Sequence, residues 1–318
     1  MPSALRTAPR IAVLPPGDAA LTKAAGAAVE AGGGVVVDPD EAEALVWTSA
    51  GMDPETTAAA LRDVLGRHRG IRWVQLPWAG VELYAEAGLL DHDHLWTCAK
   101  GVYGKPVAEH ALTLTLACFR HLKAFSRAEG WSGQAGQTLF GRRVTIFGGG
   151  GIAHELVRLL GPFGCQVTVV RKRADPLDDA RVLGWDRRND ALGDADAVIL
   201  ALALTEENSY FFASPQFEAM AAHACLVNVA RGRHVVTDDL VEALSTGAIA
   251  AAGLDVTDPE PLPDGHPLWA LDNCLITPHT ANTEAMATPA LAARITDNVH
   301  RFAAGETLEG LVDPDLGY

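Results

Sequence analysis

Four consecutive glycines, Gly148-Gly149-Gly150-Gly151, stand between a short apolar run and an amphipathic stretch, and no other feature restricts the fold of this chain so tightly. Val144–Phe147 reads as a buried strand and Gly148-Gly149-Gly150 as the tight turn after it. Ile152–Phe163 then reads as a helix with apolar Leu156, Leu159, Leu160 and Phe163, closed by Gly164. Gly148 permits the turn, Gly150 lets backbone approach a pyrophosphate, and Ala153 allows close packing of helix on strand. The N-terminus of such a helix offers unpaired N–H groups to phosphate. A glycine run alone is an ordinary turn. With a strand before it, a helix after it and a second strand at Gln166–Val170, it reads as a dinucleotide site contacted by Gly148, Gly150, Gly151 and Ile152.

Two series of short apolar runs flank this reading. The first comprises Ile11–Leu14, Gly34–Val37, Ala44–Thr48, Arg72–Leu76 and Leu95–Cys98, with alanine-rich helical segments such as Ala19–Ala31 and Pro54–His68 between the earlier runs. The second continues from Val144–Phe147 through Gln166–Val170, Ala197–Leu202, Ala224–Val229, Gly253–Val256 and Cys274–Thr277. Strands alternating with helices give parallel sheets. A chain of 318 residues fits two such domains at about 150 residues each. Between the series, Pro106–Phe125 reads as one buried helix, and Thr283–Ala304 reads as a helix that crosses back to the first domain.

A formal net charge of −15 repels nucleic-acid phosphates and anionic membrane surfaces, so a small molecule is the expected partner. Cys98, Cys118, Cys165, Cys225 and Cys274 are scattered and lack CxxC spacing, which argues against a disulfide framework or a zinc site and for a reducing compartment. The segment Met1–Arg10 lacks a leader pattern, and no apolar run reaches the ~18 residues of a membrane span, so a cytoplasmic protein is expected.

About 20 residues past the turn, a site for NAD carries an acid that binds the ribose 2′-hydroxyl. Here the position holds Arg171, followed by Lys172 and Arg173. Three cations suit a 2′-phosphate, so NADP(H) is the favoured cofactor and NAD(H) the alternative. A solvated basic turn is the competing reading of the triplet.

Three later segments place ionisable groups at strand ends, the edge where doubly wound sheets bind ligands. They are Val227-Asn228-Val229-Ala230-Arg231-Gly232, Gly253 to Pro263 with Asp255 and Glu260, and Leu275-Ile276-Thr277-Pro278-His279-Thr280-Ala281. In this order they resemble the signature blocks of the D-2-hydroxyacid dehydrogenase family, which includes glyoxylate/hydroxypyruvate reductases. The resemblance runs from Leu76-Pro77-Trp78-Ala79-Gly80-Val81 through Val107-Ala108-Glu109-His110 to the final Val312 to Tyr318.

The resemblance implies Arg231, Glu260 and His279 as catalytic residues, and the chemistry of 2-keto acid reduction suits each. A guanidinium can bind the substrate carboxylate bidentately and polarise the adjacent carbonyl, while an imidazole can protonate its oxygen as hydride arrives. A carboxylate beside that imidazole keeps it charged and oriented. The resemblance also implies that Asp255 bonds the nicotinamide carboxamide and that Ala230, Arg231, His279 and Ala281 border the cofactor. Leu202, Ala203 and Asn208 match a further cofactor segment, where the family commonly has proline and threonine. Trp78, Ala79 and Gly80 match the loop that presents N–H groups to the substrate carboxylate. Trp78 reads equally as a pocket wall or a packed aromatic, and His110, in an apolar helix, reads as structural.

The expected architecture is α/β with two doubly wound domains, a Rossmann cofactor domain (105–284) inserted in a flavodoxin-like substrate domain (1–104 and 285–318), with the active site in the cleft. The expected reaction is NADPH-dependent reduction of a small 2-keto acid to the D-2-hydroxy acid, in a homodimer. Two alternatives are an NAD-dependent phosphoglycerate-type dehydrogenase, disfavoured by Arg171 and by the missing C-terminal extension, and a non-enzymatic dinucleotide-sensing co-repressor, disfavoured by the intact triad.

Overall fold

The computed structural model describes residues 8–17, 19–48, 54–131 and 133–317. The leader reading of Met1–Arg10 falls largely outside the described residues, as does Tyr318. The chain divides into two compact units, Met1–Tyr103 with Thr283–Tyr318, and Gly104–Asn282.

Among the described residues the first unit holds five parallel strands, β1 (Arg10–Leu14), β2 (Val35–Val36), β3 (Ala44–Trp47), β4 (Trp73–Gln75) and β5 (Leu95–Thr97). Their order, β2-β1-β3-β4-β5, is that of flavodoxin-like sheets. Strand β3 is buried along its whole length, as the unbroken run Ala-Leu-Val-Trp requires of a central parallel strand. Trp73, Trp96, Leu45, Leu61 and Leu76 are fully buried here, and each large apolar side chain contributes roughly 1.5–3 kcal/mol. The helix Glu284–Ala304 belongs to this unit and packs against helix Ala20–Ala31. Gly32 lets it approach, because a Cβ there would lie 2.7 Å from both the Thr296 carbonyl oxygen and Val299 Cβ.

Among the described residues the second unit holds seven strands: β6 (Arg143–Phe147), β7 (Gln166–Arg171), β8 (Arg181–Gly184), β9 (Ala197–Leu200), β10 (Cys225–Asn228), β11 (Ala251–Leu254) and β12 (Cys274–Ile276). All pair in parallel, in the order β12-β11-β10-β9-β6-β7-β8. The sheet therefore reverses its winding between β6 and β9, and a ligand of such a sheet lies beyond the C-terminal ends of those strands.

Two expectations need correction. Strand β8 has no counterpart in the sequence reading, because only Leu183 of its four residues is fully buried and the apolar signal is too short to stand out. The single helix expected over Pro106–Phe125 is two, Gly104–Phe119 and Leu122–Ser126, broken where His121 takes a left-handed φ of 48°. Lys123 holds the second piece by donating to the carbonyls of Trp269, Leu271 and Cys274. No glycine or proline marks that break, so helical period alone carries through it.

All five cysteines are thiols. Among the described residues no helix is long and apolar enough to cross a membrane, and no metal-ligating cluster occurs.

Candidate active site

The site is assembled in the second unit from residues just beyond β6, β7, β9, β10, β11 and β12. Strand β6 runs into Gly148, whose φ of 117° favours glycine and whose added Cβ would lie 2.2 Å from the Ala201 carbonyl. Gly150 is the N-cap of helix Gly151–Leu160, and no side chain caps that end. The first N–H groups of the helix are thus available to an anion. Nothing lies within 4 Å of a Cβ built on Gly150, so space remains in front of the turn. Ala153 is fully buried behind it.

Arg171 ends β7 and lies along the turn, since a Cβ on Gly149 would meet its Cδ at 2.3 Å. Its Nη2 donates to the Asp175 carbonyl at 2.9 Å, with the Asp175 carboxylate at 3.5 Å, while its buried Nε has no protein partner. A buried donor left open beside a glycine turn that ends on an uncapped helix N-terminus fits a cofactor phosphate. Lys172 stands 3.9 Å from Glu207 and is largely exposed, and Arg173 is exposed.

Asn208, expected to border the cofactor, has its amide engaged with its own turn. Its Oδ1 accepts from Thr205 N and its Nδ2 donates to the Ala203 carbonyl, both at 2.8 Å. The amide ties residues 203–208 into a short turn that presents Leu202 and Ala203 beyond β9.

At the end of β10, Asn228 shapes the backbone of the next three residues. It accepts from Ala230 N at 3.0 Å and donates to the Arg231 carbonyl at 2.9 Å. Gly232 then passes so close to the β11 loop that a Cβ would fall 1.9 Å from the Thr257 carbonyl. That approach brings Arg231 to the loop carrying Glu260, and its charge acts on both Glu260 and His279.

His279 Nδ1 lies 2.6 Å from Glu260 Oε1. This hydrogen bond raises the imidazole pKa above its ordinary 6.5, against a smaller opposing effect of burial. Burial alone would raise Glu260, but the hydrogen bond and charge of His279 prevail and lower it. With Nδ1 engaged, Nε2 is the nitrogen left to exchange a proton with a substrate.

Asp255, only 2% exposed, organises the loop that bears His279. Its Oδ1 accepts from Thr277 Oγ1 at 2.6 Å and Thr280 N at 2.9 Å, its Oδ2 accepts from Ala281 N at 2.9 Å, and its backbone carbonyl accepts from His279 N at 2.8 Å. Burial opposes ionisation, but hydrogen bonds from His110, Thr277, Thr280 and Ala281 outweigh it and hold the pKa down at about 2. His110 and Thr277 escaped the sequence reading as members of this group. A histidine in an apolar helix needs a polar partner, and that was the one available signal.

In the first unit, Trp78-Ala79-Gly80 follows β4. Trp78 is half-buried with its ring 6.1 Å from Tyr103, and the Tyr103 hydroxyl donates to the Pro77 carbonyl at 2.7 Å. Ala79 is exposed.

Residues 112–281 match the profile of the D-isomer specific 2-hydroxyacid dehydrogenase NAD binding domain. A Corynebacterium melassecola relative, described as an uncharacterized protein in the proB 3′ region, is 37% identical over 256 residues, 78% of this chain and 84% of its own. Glyoxylate reductase of Pyrococcus furiosus is 33% identical over 223 residues, 66% of each chain. Among solved structures, a D-isomer specific 2-hydroxyacid dehydrogenase from Xanthobacter autotrophicus Py2, in complex with NADPH and MES, superposes with a TM-score of 0.84 at 26% identity, covering 98% of this chain and all of that one. With its seven-stranded dinucleotide unit and these matches, the chain belongs to the D-isomer specific 2-hydroxyacid dehydrogenases, a family of NAD(P)-dependent enzymes.

Proposed function

We propose that the protein reduces a small 2-keto acid of the glyoxylate or hydroxypyruvate type to the D-2-hydroxy acid with NADPH. The hydrogen-bonded pair His279–Glu260, within reach of the charge of Arg231, carries this reading. When bound, the dinucleotide supplies the hydride. Gly148, Gly150, Gly151 and Ile152 would hold its phosphates, and Arg171 would hold the ribose 2′-phosphate through the guanidinium whose Nε has no protein partner. Arg231 binds the substrate carboxylate and draws electron density from the adjacent carbonyl. His279 Nε2 then donates its proton to the carbonyl oxygen as that oxygen gains negative charge, and Glu260 stabilises the imidazolium beforehand. In alcohol oxidation the neutral imidazole accepts that proton instead.

NADPH is favoured over NADH by Arg171, and the Xanthobacter relative was solved with NADPH. The relatives named glyoxylate reductase support the size of the substrate. Trp78, Ala79 and Gly80 are the residues proposed to meet its carboxylate in the first unit. A cytoplasmic location is part of this reading and rests on five scattered cysteines without CxxC spacing. Leu122, Phe125, Trp131 and Phe140 leave large apolar side chains exposed on the second unit, which suits a homodimer formed there.

Initial rates with NADPH and NADH against glyoxylate, hydroxypyruvate, pyruvate and bulkier keto acids test the proposal. Oxidation of NADPH with the two smallest hydroxylated or aldehydic acids is expected. No turnover of any keto acid would overturn it, and a better than tenfold advantage for NADH would overturn the part given to Arg171.

A further inference from the structure

His110 sits in the apolar helix Gly104–Phe119 with its side chain 19% exposed, and its Nε2 points at the group under the catalytic loop. That nitrogen is 2.9 Å from Thr277 Oγ1 and 3.3 Å from Asp255 Oδ1. The Thr277 hydroxyl gives its proton to Asp255 at 2.6 Å, and an ionised carboxylate has none to give. Neither neighbour can donate to Nε2, so Nε2 itself carries the proton. The result is a directed chain: His110 donates to Thr277, and Thr277 donates to Asp255.

The far end of this chain is the backbone around His279. Asp255 accepts the N–H groups of Thr280 and Ala281, and its carbonyl accepts that of His279. His279 needs such restraint, because its φ of 48° is left-handed, a conformation that is unfavourable for a non-glycine residue. Relaxation of that backbone would swing Nδ1 away from Glu260.

We propose that His110 is a positioning residue for the acid–base histidine, acting through Thr277 and Asp255 to fix the backbone of His279. This rests on the reading of His279 as the proton donor. A histidine that only filled space would be replaceable by leucine, whereas a donor is replaceable by glutamine, whose amide nitrogen reaches where Nε2 stands.

The test combines imidazole nitrogen NMR on the full-length protein with steady-state kinetics of two variants. In the wild type, His110 is expected as the Nε2–H tautomer and His279 as titrating above 6.5. His110→Leu should move the His279 midpoint down towards 6.5 and lower kcat about tenfold or more, with the cofactor KM within about threefold. His110→Gln should restore kcat to within about threefold of wild type. An Nδ1–H tautomer, an unchanged His279 midpoint in His110→Leu, or a glutamine variant no better than leucine would each overturn the proposal. Should the leucine variant not fold, the wild-type tautomer and the glutamine variant decide it. If the wild type turns over no keto acid while the tautomer and titration are as expected, the reductase reading fails and the positioning by His110 stands.

Discussion

Glu260 Oε1 and His279 Nδ1 lie 2.6 Å apart, which makes one carboxylate the main determinant of the protonation state of the imidazole. The folded-state pKa of His279 is raised, so its charged form persists to higher pH than that of a free histidine. Keto acid reduction uses the charged form. The rate should therefore be level at low pH and fall as pH rises through a midpoint above 6.5. Glu260→Gln should move that midpoint down, costing about tenfold or more in kcat near pH 8 and less near pH 6. Rate profiles from pH 5 to 9 check this; an unmoved midpoint would show that another group sets it.

Arg171 should decide between the cofactors. Losing a charge-assisted hydrogen bond costs about 1.5–3 kcal/mol, or roughly one to two orders of magnitude in affinity. Arg171→Ala is expected to raise the KM for NADPH by about tenfold or more and to change that for NADH by less than about threefold. Equal changes for both would mean that the guanidinium supports the turn rather than reading the phosphate.

The glycines of the turn should respond differently to alanine. At Gly148 the added methyl would stand 2.2 Å from a backbone oxygen at a φ of 117°, so Gly148→Ala should unfold the unit or lower its melting temperature by many degrees. At Gly150 the methyl enters open space at a φ of −89°. Gly150→Ala should melt like the wild type and yet bind dinucleotide about tenfold or more weakly, because the space it fills is the one proposed for the pyrophosphate. Calorimetry and fluorescence titration separate the two.

Asp255 links stability to acid. Its folded pKa of about 2 lies below the ordinary 3.8, so its contribution is present above about pH 4 and is lost as pH falls through 2. The difference is worth about 2 kcal/mol. Asp255→Asn should lower unfolding free energy by at least about that amount at pH 7, with the gap closing towards pH 2. Urea unfolding at several pH values measures it.

The two sheets, the crossing of the C-terminal helix and the glycine turn were legible because each depends on local period or on glycine's backbone freedom. The candidate triad was legible as motif. Other parts of the site depend on distance along the chain. His110 and Asp255 are brought together by the packing of helix Gly104–Phe119 on the sheet, and nothing near either residue announces the other. Asn208 is local, but whether its amide faces a ligand or its own turn depends on the backbone of residues 203–208. Strand β8 and the break at His121 escaped for want of a long enough apolar signal and of a helix-ending residue.

The left-handed backbone of His279 has a practical consequence for trapping a substrate complex. Asparagine tolerates that conformation better than other non-glycine residues, whereas alanine would gain by leaving it. An inactive protein made with His279→Asn should thus keep the loop in its working shape for crystallography with intact keto acid, while His279→Ala would report on a loop that has already let go.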